Sequence, residues 1–461
     1  MMTLQQARGW VNAAQLVGDG AAVIQRVHTD TRTLQPGDLF VALKGEHFDA
    51  HDFLLHAKAQ GAVAAIAQHG LASANLTGLE VSDSKIALGQ LAKNWRSQFD
   101  LPLIAVTGSN GKTTVTQMIA AILRAYQPGH AFATQGNLNN DIGVPLTLLR
   151  LTSAHTIGVV EMGMNHPGEI TYLADMTQPT VALVNNAQRE HLEFMGTVEA
   201  VAMENGAVID ALGPAGVAVF PADDDYTSVW AHAAGRRATF TFALSGQADV
   251  TAAAHWDGTA WQAVAKTPLG SAAFKLQIAG LHNVKNALAA ATCALAAGVP
   301  LDCIAAGLSA FVPVKGRSRA MTVKLQNRSI TVVDDTYNSN PDSMRAAIDV
   351  LAALPGRRLL VMGDMGEVGD LGPQFHEEAG CWAKARGIEN LFTLGEQSKL
   401  ASSSFGHGQH FSEIDTLTAA VQKQLPHVAS VLVKGSRFMK MERVIDAIAA
   451  LQEEQKGSIP C

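Results

Sequence analysis

The sequence predicts an α/β protein of three domains. Its 461 residues exceed what one hydrophobic core usually holds, and 48% are hydrophobic against 16% charged. Short apolar runs alternate with helical patterns: LIAVTG, TIGVVEMG, TVALVNNA and GVAVFPADD, then ITVVDDTY, RLLVMGDMG, LFTLGE and SVLVKGS. That alternation implies parallel sheets covered by helices on both faces. In such sheets ligands bind beyond the carboxyl ends of the strands. Here nearly every run ends in Gly, Asp, Asn or Glu.

The runs fall into three blocks. Residues 1–97 contain the strand-like GDLFVAL, the polar loop KGEHFDAHDF and a small αβ pattern, LLHAKAQGAVAAIAQ. The segment LAKNWRSQFDLP then leads into a central parallel-sheet domain, 98–312. A Rossmann-like domain, 313–461, follows, and FVPVKGRSR, with its Pro and Gly, reads as the hinge before it.

Composition excludes several classes. A formal charge of −7 argues against a nucleic-acid-binding surface. Cys293, Cys303, Cys381 and Cys461 show no C-x-x-C spacing and are expected as reduced thiols. No run approaches the roughly 18 apolar residues of a membrane span. No basic segment followed by an apolar stretch opens the chain, so the expectation is a cytoplasmic protein, by default a monomer.

The strongest local signal is GSNGKTT, comprising Gly108, Ser109, Asn110, Gly111, Lys112, Thr113 and Thr114. It follows the strand-like LPLIAV. Helical spacing of Val115, Met118, Ile119, Ile122 and Leu123 comes after it. Glycines between a strand and a helix N-terminus turn backbone N–H groups toward a phosphate, and the helix dipole adds positive potential. Lys112 brings a charge to the β- and γ-phosphates, and the Thr113 hydroxyl can ligate Mg²⁺. Val106 stands where the longer Walker loop has its first glycine, so this loop is shorter than that of GTPases or kinases.

Other strand ends carry polar clusters. EMGMNHPGEI offers Glu161, an oxygen ligand suited to Mg²⁺, and NNAQREHLEFMG offers His191. GNLNNDIGVPLTLL packs Asn137, Asn139, Asn140 and Asp141 before an apolar helix, and a helix cap explains only one of them. In HNVKNALAA, Asn283 and Asn286 share one helix face, where they either cap or pair with an adenine edge. DDTYNSNPDSM ends a strand with Asp335, which could hold ribose hydroxyls.

These pieces, in this order and over essentially the whole chain, resemble the Mur ligase family of ATP-dependent amide-forming enzymes in peptidoglycan synthesis. TDTRTLQPGDLFVALKGEHFDAHDF, GNLNNDIGVPLTLL, DTYNSNPDSM and VKGSRFMKME carry the resemblance most specifically. It implies a first domain for the UDP-sugar end of the substrate, a central ATP-binding domain and a last domain that closes over the nucleotide. It implies the substrates UDP-N-acetylmuramoyl-tripeptide and D-alanyl-D-alanine, ATP with Mg²⁺, and an acyl-phosphate intermediate. Residues 108 to 114 match the family's ATP loop, with Lys112 and His191 in catalytic positions. Thr113, Glu161 and His191 match its metal site. Asn283 and Asn286 match the adenine side, Arg317 a Gly-Arg hinge, and Asp335 the ribose acid. Thr31, Arg32, Lys44, Asn137, Asn139 and Asn140 match positions near the nucleotide-sugar substrate. Lys434, Ser436 and Arg437 fit the C-terminal signature. Another ligase step of the family, or a folylpolyglutamate-type ligase, is the rival reading among enzymes. A nucleotide-dependent switch is the rival outside them.

One departure stands out. The family commonly carries a carbamylated lysine on the helix after the histidine motif, as an anionic metal ligand. Asn205 occupies that position, and no lysine occurs between Thr113 and Ala265. The neighbouring Glu204 is the candidate replacement for that charge. The alternative is a solvated helix residue.

Overall fold

LPLIAV does become a strand, Leu103–Thr107, every residue of it buried, and the loop helix Lys112–Tyr126 follows directly. The computed structural model describes residues 1–325 and 328–457, with side chains as far as Leu451, so the thiol expected at Cys461 lies outside the described residues. Cys293, Cys303 and Cys381 are free thiols.

Leu103–Thr107 sits near the middle of a nine-stranded sheet, between Ile157–Glu161 and Val181–Val184, both parallel to it. The chain leaves it for the edge strand Ala131–Ala133, returns through Ile157–Glu161, and then crosses to Val181–Val184 on the other side. The connections after Leu103–Thr107 and after its neighbour Val181–Val184 thus depart in opposite directions. That is a topological switch point, where a crevice opens for ligands. The phosphate loop occupies it.

Beyond Val181–Val184 the sheet continues in parallel through Val217–Pro221, Ala238–Ala243 and Val250–Trp256. It ends in two antiparallel strands, Trp261–Thr267 and Gly270–Leu276. An all-parallel sheet is therefore not what forms. Buried and solvent-facing positions alternate along the last strands, the pattern of an antiparallel edge with one wet face.

The first sheet has five strands, with Arg26–His28, Asp38–Val41, Ala64–Ala67 and Gly78–Glu80 parallel in that spatial order. The segment LAKNWRSQFDLP is no loose connector. Its first half ends the helix Ser84–Arg96, whose Leu88 and Leu91 are wholly buried in one cluster with Leu103 and Leu173 of the central unit. Each such leucine contributes about 1.5–3 kcal/mol relative to exposure. Arg96 is buried too, and its Nε donates to Thr177 O at 3.0 Å.

The last sheet has six strands. Arg328–Asp335 is flanked by the antiparallel Arg319–Leu325 and by the parallel Ser430–Lys434. Asp335 and Lys434 end neighbouring strands in register. The hinge is pinned to this sheet: Gly316 N donates to Asp334 Oδ2 at 2.8 Å, and Ser318 N to Asp335 Oδ1 at 2.9 Å. Among the described residues no helix is long and apolar enough to cross a membrane.

Candidate active site

A cavity of about 1330 Å³ lies over the carboxyl ends of the central strands and against the last sheet. The phosphate loop forms its floor. Gly108 and Gly111 have φ of +130° and +83°. A Cβ at Gly111 would stand 2.6 Å from Asn286 Oδ1, so only glycine fits there. The segment after Val184 braces the loop. Asn110 N donates to Asn186 Oδ1 at 2.8 Å, and Asn185 Nδ2 to Asn110 O at 2.8 Å.

Lys112 Nζ donates to the loop carbonyls of Gly108 and Ser109, at 2.6 and 2.9 Å, and to Glu190 Oε1 at 2.8 Å. At the start of the loop helix the Thr113 hydroxyl donates to Glu161 Oε1 at 3.0 Å, and Asn139 Nδ2 donates to the same oxygen at 2.7 Å. Glu161 is 1% exposed. Both of these partners are neutral groups. A buried carboxylate beside a hydroxyl is a hard-oxygen donor set of the kind Mg²⁺ takes.

His191 lines the cavity between two carboxylates. Its Nδ1 lies 2.7 Å from Glu367 Oε2 of the last domain, outside hydrogen-bonding alignment, and its Nε2 lies 3.5 Å from Glu190 Oε1. Burial pushes its pKa down, but the two carboxylates outweigh that and hold it at about 9. His191 thus joins Glu190 and Glu367 in a cluster between two domains, on the same cavity wall as the oxygen pair Thr113–Glu161.

The asparagines expected on the adenine side, Asn283 and Asn286, are buried and joined in a chain of amides. Asn283 Nδ2 donates to Ala279 O at 2.7 Å, Asn286 Nδ2 to Asn283 Oδ1 at 3.0 Å, and Asn185 Nδ2 to Asn286 Oδ1 at 3.0 Å. This buried amide chain lines the cavity and holds up Gly111, but its hydrogen-bonding capacity is largely spent on protein. Asp335 accepts from Lys434 Nζ at 2.7 Å. Burial is the largest influence on it and raises its pKa, yet Lys434 wins and the net shift is downward. Arg317 Nη2 donates to Thr113 Oγ1 at 3.3 Å, and its guanidinium stacks 3.9 Å from the Tyr337 ring. Asn140 is a cap, its Oδ1 accepting from Gly143 N at 2.8 Å.

The cavity thus gathers Ser109 through Thr114, Asn137, Asn139, Asn140, Glu161, His191, Asn283, Asn286, Arg317 and Asp335, together with Lys434, Ser436 and Arg437. Thr31, Arg32 and Lys44 are not among its walls. They follow the neighbouring parallel strands Arg26–His28 and Asp38–Val41, where Arg32 pairs with Asp30 and Lys44 lies 3.9 Å from Asp49. Glu204 is not there either. Its two oxygens accept from Gly168 N and Ile170 N, at 2.8 and 2.7 Å, capping the helix Glu169–Thr177. Both oxygens are committed to that helix, so Glu204 does not replace the missing carbamate. Asn205 does reach the loop: its Oδ1 accepts from Thr107 Oγ1 at 2.6 Å and Gly108 N at 3.0 Å.

Sequence reasoning missed Arg189 and Glu190. Arg189 makes a forked contact to Asp342 of the last domain, 2.7 Å at its shortest, and a second to Glu378 at 2.9 Å. The signal was their adjacency to His191 at a strand end, NNAQREH.

Comparison with known proteins agrees with this geometry. Three family models match in order: the Mur ligase family catalytic domain over residues 23–96, the Mur ligase middle domain over 106–294 and the Mur ligase glutamate ligase domain over 318–437. The chain is 42% identical to the UDP-N-acetylmuramoyl-tripeptide–D-alanyl-D-alanine ligase of Escherichia coli, over 92% of this chain and 94% of that one. The chain belongs to the Mur ligase family. The ligase of the same description from Haemophilus influenzae is 38% identical over 96% of this chain and 97% of its own. Among solved structures, a Mur ligase named MurF from Acinetobacter baumannii superposes with a TM-score of 0.89 at 36% identity, covering 98% of both chains. A MurF from Thermotoga maritima in complex with ADP matches with a TM-score of 0.82 at 26% identity, covering 94% of this chain and 98% of that one.

Proposed function

We propose that this Mur ligase joins D-alanyl-D-alanine to UDP-N-acetylmuramoyl-tripeptide with cleavage of ATP, a cytoplasmic step of peptidoglycan synthesis carried out by a monomer. The observation that carries the reading is the single cavity in which the phosphate loop, Glu161 and the strand ends of the last domain meet. Whole-length similarity to ligases of that description supports it.

The chemistry follows from the residues. A carboxylate is a poor acylating agent, so a carboxylate oxygen of the tripeptide attacks the γ-phosphorus, the bond to the bridging oxygen breaks and ADP leaves. The amine of D-alanyl-D-alanine attacks the acyl carbon, sheds a proton, and phosphate departs. The backbone N–H groups of the loop and Lys112 hold the phosphates. Arg317 reaches Thr113 from the hinge itself, so domain closure delivers a cation to the transferring group. Thr113 and Glu161 would hold Mg²⁺, which when bound neutralises phosphate charge. Asn139 fixes the Glu161 carboxylate. Asp335, held by Lys434, faces the nucleotide's ribose, and Thr31, Arg32 and Lys44 take the UDP end.

The test is a coupled phosphate-release assay with ATP, Mg²⁺ and the tripeptide substrate, with and without D-alanyl-D-alanine, followed by mass spectrometry. Release that requires both substrates, with the pentapeptide mass present, is the expected result. Release without an amide product would overturn the assignment.

A further inference from the structure

A second cavity, of about 390 Å³, shares Thr113 with the first. Gln117 and Arg124 of the loop helix, Phe132 of the edge strand, Arg150 and His155 line it, and no carboxylate does. Every ionisable side chain in its wall is therefore a base.

Arg150 is the informative one. Its Nη1 is buried and makes no hydrogen bond. Burial alone pushes its pKa down, with no acidic neighbour to offset the loss. Its guanidinium is placed 5.4 Å from the centroid of the Phe132 ring. His155 adds a donor. Its Nδ1 accepts from Thr152 N at 3.1 Å, which leaves Nε2 carrying the proton, and burial followed by Arg150 keeps the ring neutral. Its ring meets Phe132 edge-on, 5.1 Å between centroids.

Arg150 is only partly buried, but its buried Nη1–H stands without an acceptor, a cost that a bound anion would remove. A planar fork of N–H donors matches the two oxygens of a carboxylate or phosphate. The volume is that of a small-molecule pocket rather than of a single trapped water. We infer that this cavity is a second anion site, which takes a small phosphate- or carboxylate-bearing molecule on Arg150, with Arg124 and His155 Nε2–H as further donors. It is separate from the phosphate loop, whose lysine and backbone donors face the larger cavity.

Calorimetric titration of the full chain tests this. Inorganic phosphate and succinate are titrated separately into protein saturated with Mg-ADP, and into the Lys112→Ala variant without nucleotide. Mg-ADP leaves the γ-phosphate position of the loop open, so only binding that Arg150→Gln weakens is assigned to this cavity. The expected result is one oxyanion bound per chain, weakened at least tenfold by Arg150→Gln. Phosphate alone binding identifies a phosphate ligand, succinate alone a carboxylate, and both the shared chemistry. No binding, or binding that Arg150→Gln leaves unchanged, overturns the site. Thermal melts supply the second arm. Arg150→Gln without ligand should melt at or above the parent, because it removes an unmatched charge, and oxyanion should raise the melting temperature of the parent only. A fall of several degrees in the unliganded variant would make Arg150 a packing residue on Phe132 and overturn the inference.

Discussion

Lys112 and Glu190 form an ion pair at 2.8 Å with both side chains largely buried, at 14% and 10% exposure. The loop lysine is thus neutralised in place until a phosphate competes for it. Lys112→Ala should lower turnover by about 10²–10³-fold or more, the range for removal of one transition-state donor. It should also lower stability, because Glu190 is left buried beside fewer cations. Adding Glu190→Gln should restore the melting temperature and not the turnover. Near-normal phosphate release in the single variant would reject the role of the lysine.

Glu204→Gln addresses the capping geometry. The variant keeps one acceptor for the helix Glu169–Thr177 and loses the charge at its N-terminus. A stability loss of about 0.5–2 kcal/mol is expected, as for a lost cap. Turnover and Mg²⁺ dependence should stay at the parental level. A shifted Mg²⁺ optimum in a steady-state titration would return Glu204 to the metal site.

Arg189 fastens the central domain to the helix Pro341–Ala353 through Asp342. If that contact holds the closed arrangement, Arg189→Ala and Asp342→Ala should each reduce kcat/KM about tenfold, and the double variant no further. The resulting coupling of roughly 1.4 kcal/mol is within the range for contacting residues. Strictly additive losses in the cycle would mean the two act separately.

Acid sensitivity should centre on Asp335. Its pKa is lowered in the fold, so the stabilisation it gives is complete above the ordinary aspartate value and is lost as pH falls through the folded value. In Lys434→Ala burial is opposed only by the Ser318 N–H and by Arg317, so the carboxyl rises from its parental value. Stability should fall by about 3–5 kcal/mol near neutrality, the cost of breaking a buried pair, and recover in part on mild acidification. Urea titrations across pH would read this directly. Identical pH profiles for parent and variant would refute the pairing.

Much of this architecture is legible locally. LIAVTG followed by GSNGKTT carries its own strand, turn and helix signals, and Glu161 and Asp335 announce themselves by closing apolar runs. The antiparallel edge at Trp261–Thr267 and Gly270–Leu276 was readable too, as an alternation with period two rather than a continuous apolar run. What sequence could not supply is partnership. Arg189 and Asp342 lie 153 residues apart, and nothing near either names the other. Glu204 looked free because its partners are backbone N–H groups of another helix, which have no side-chain signature.

Asn205 has a consequence at the level of growth conditions. A lysine carbamate forms from dissolved carbon dioxide and is lost when that gas is scarce, so an enzyme that depends on one is tied to the carbonate pool. Here a permanent amide holds Thr107 and Gly108 instead. Catalysis by this chain should proceed at the same rate in degassed and bicarbonate-supplemented buffer, so this one ligation does not draw on the carbonate pool.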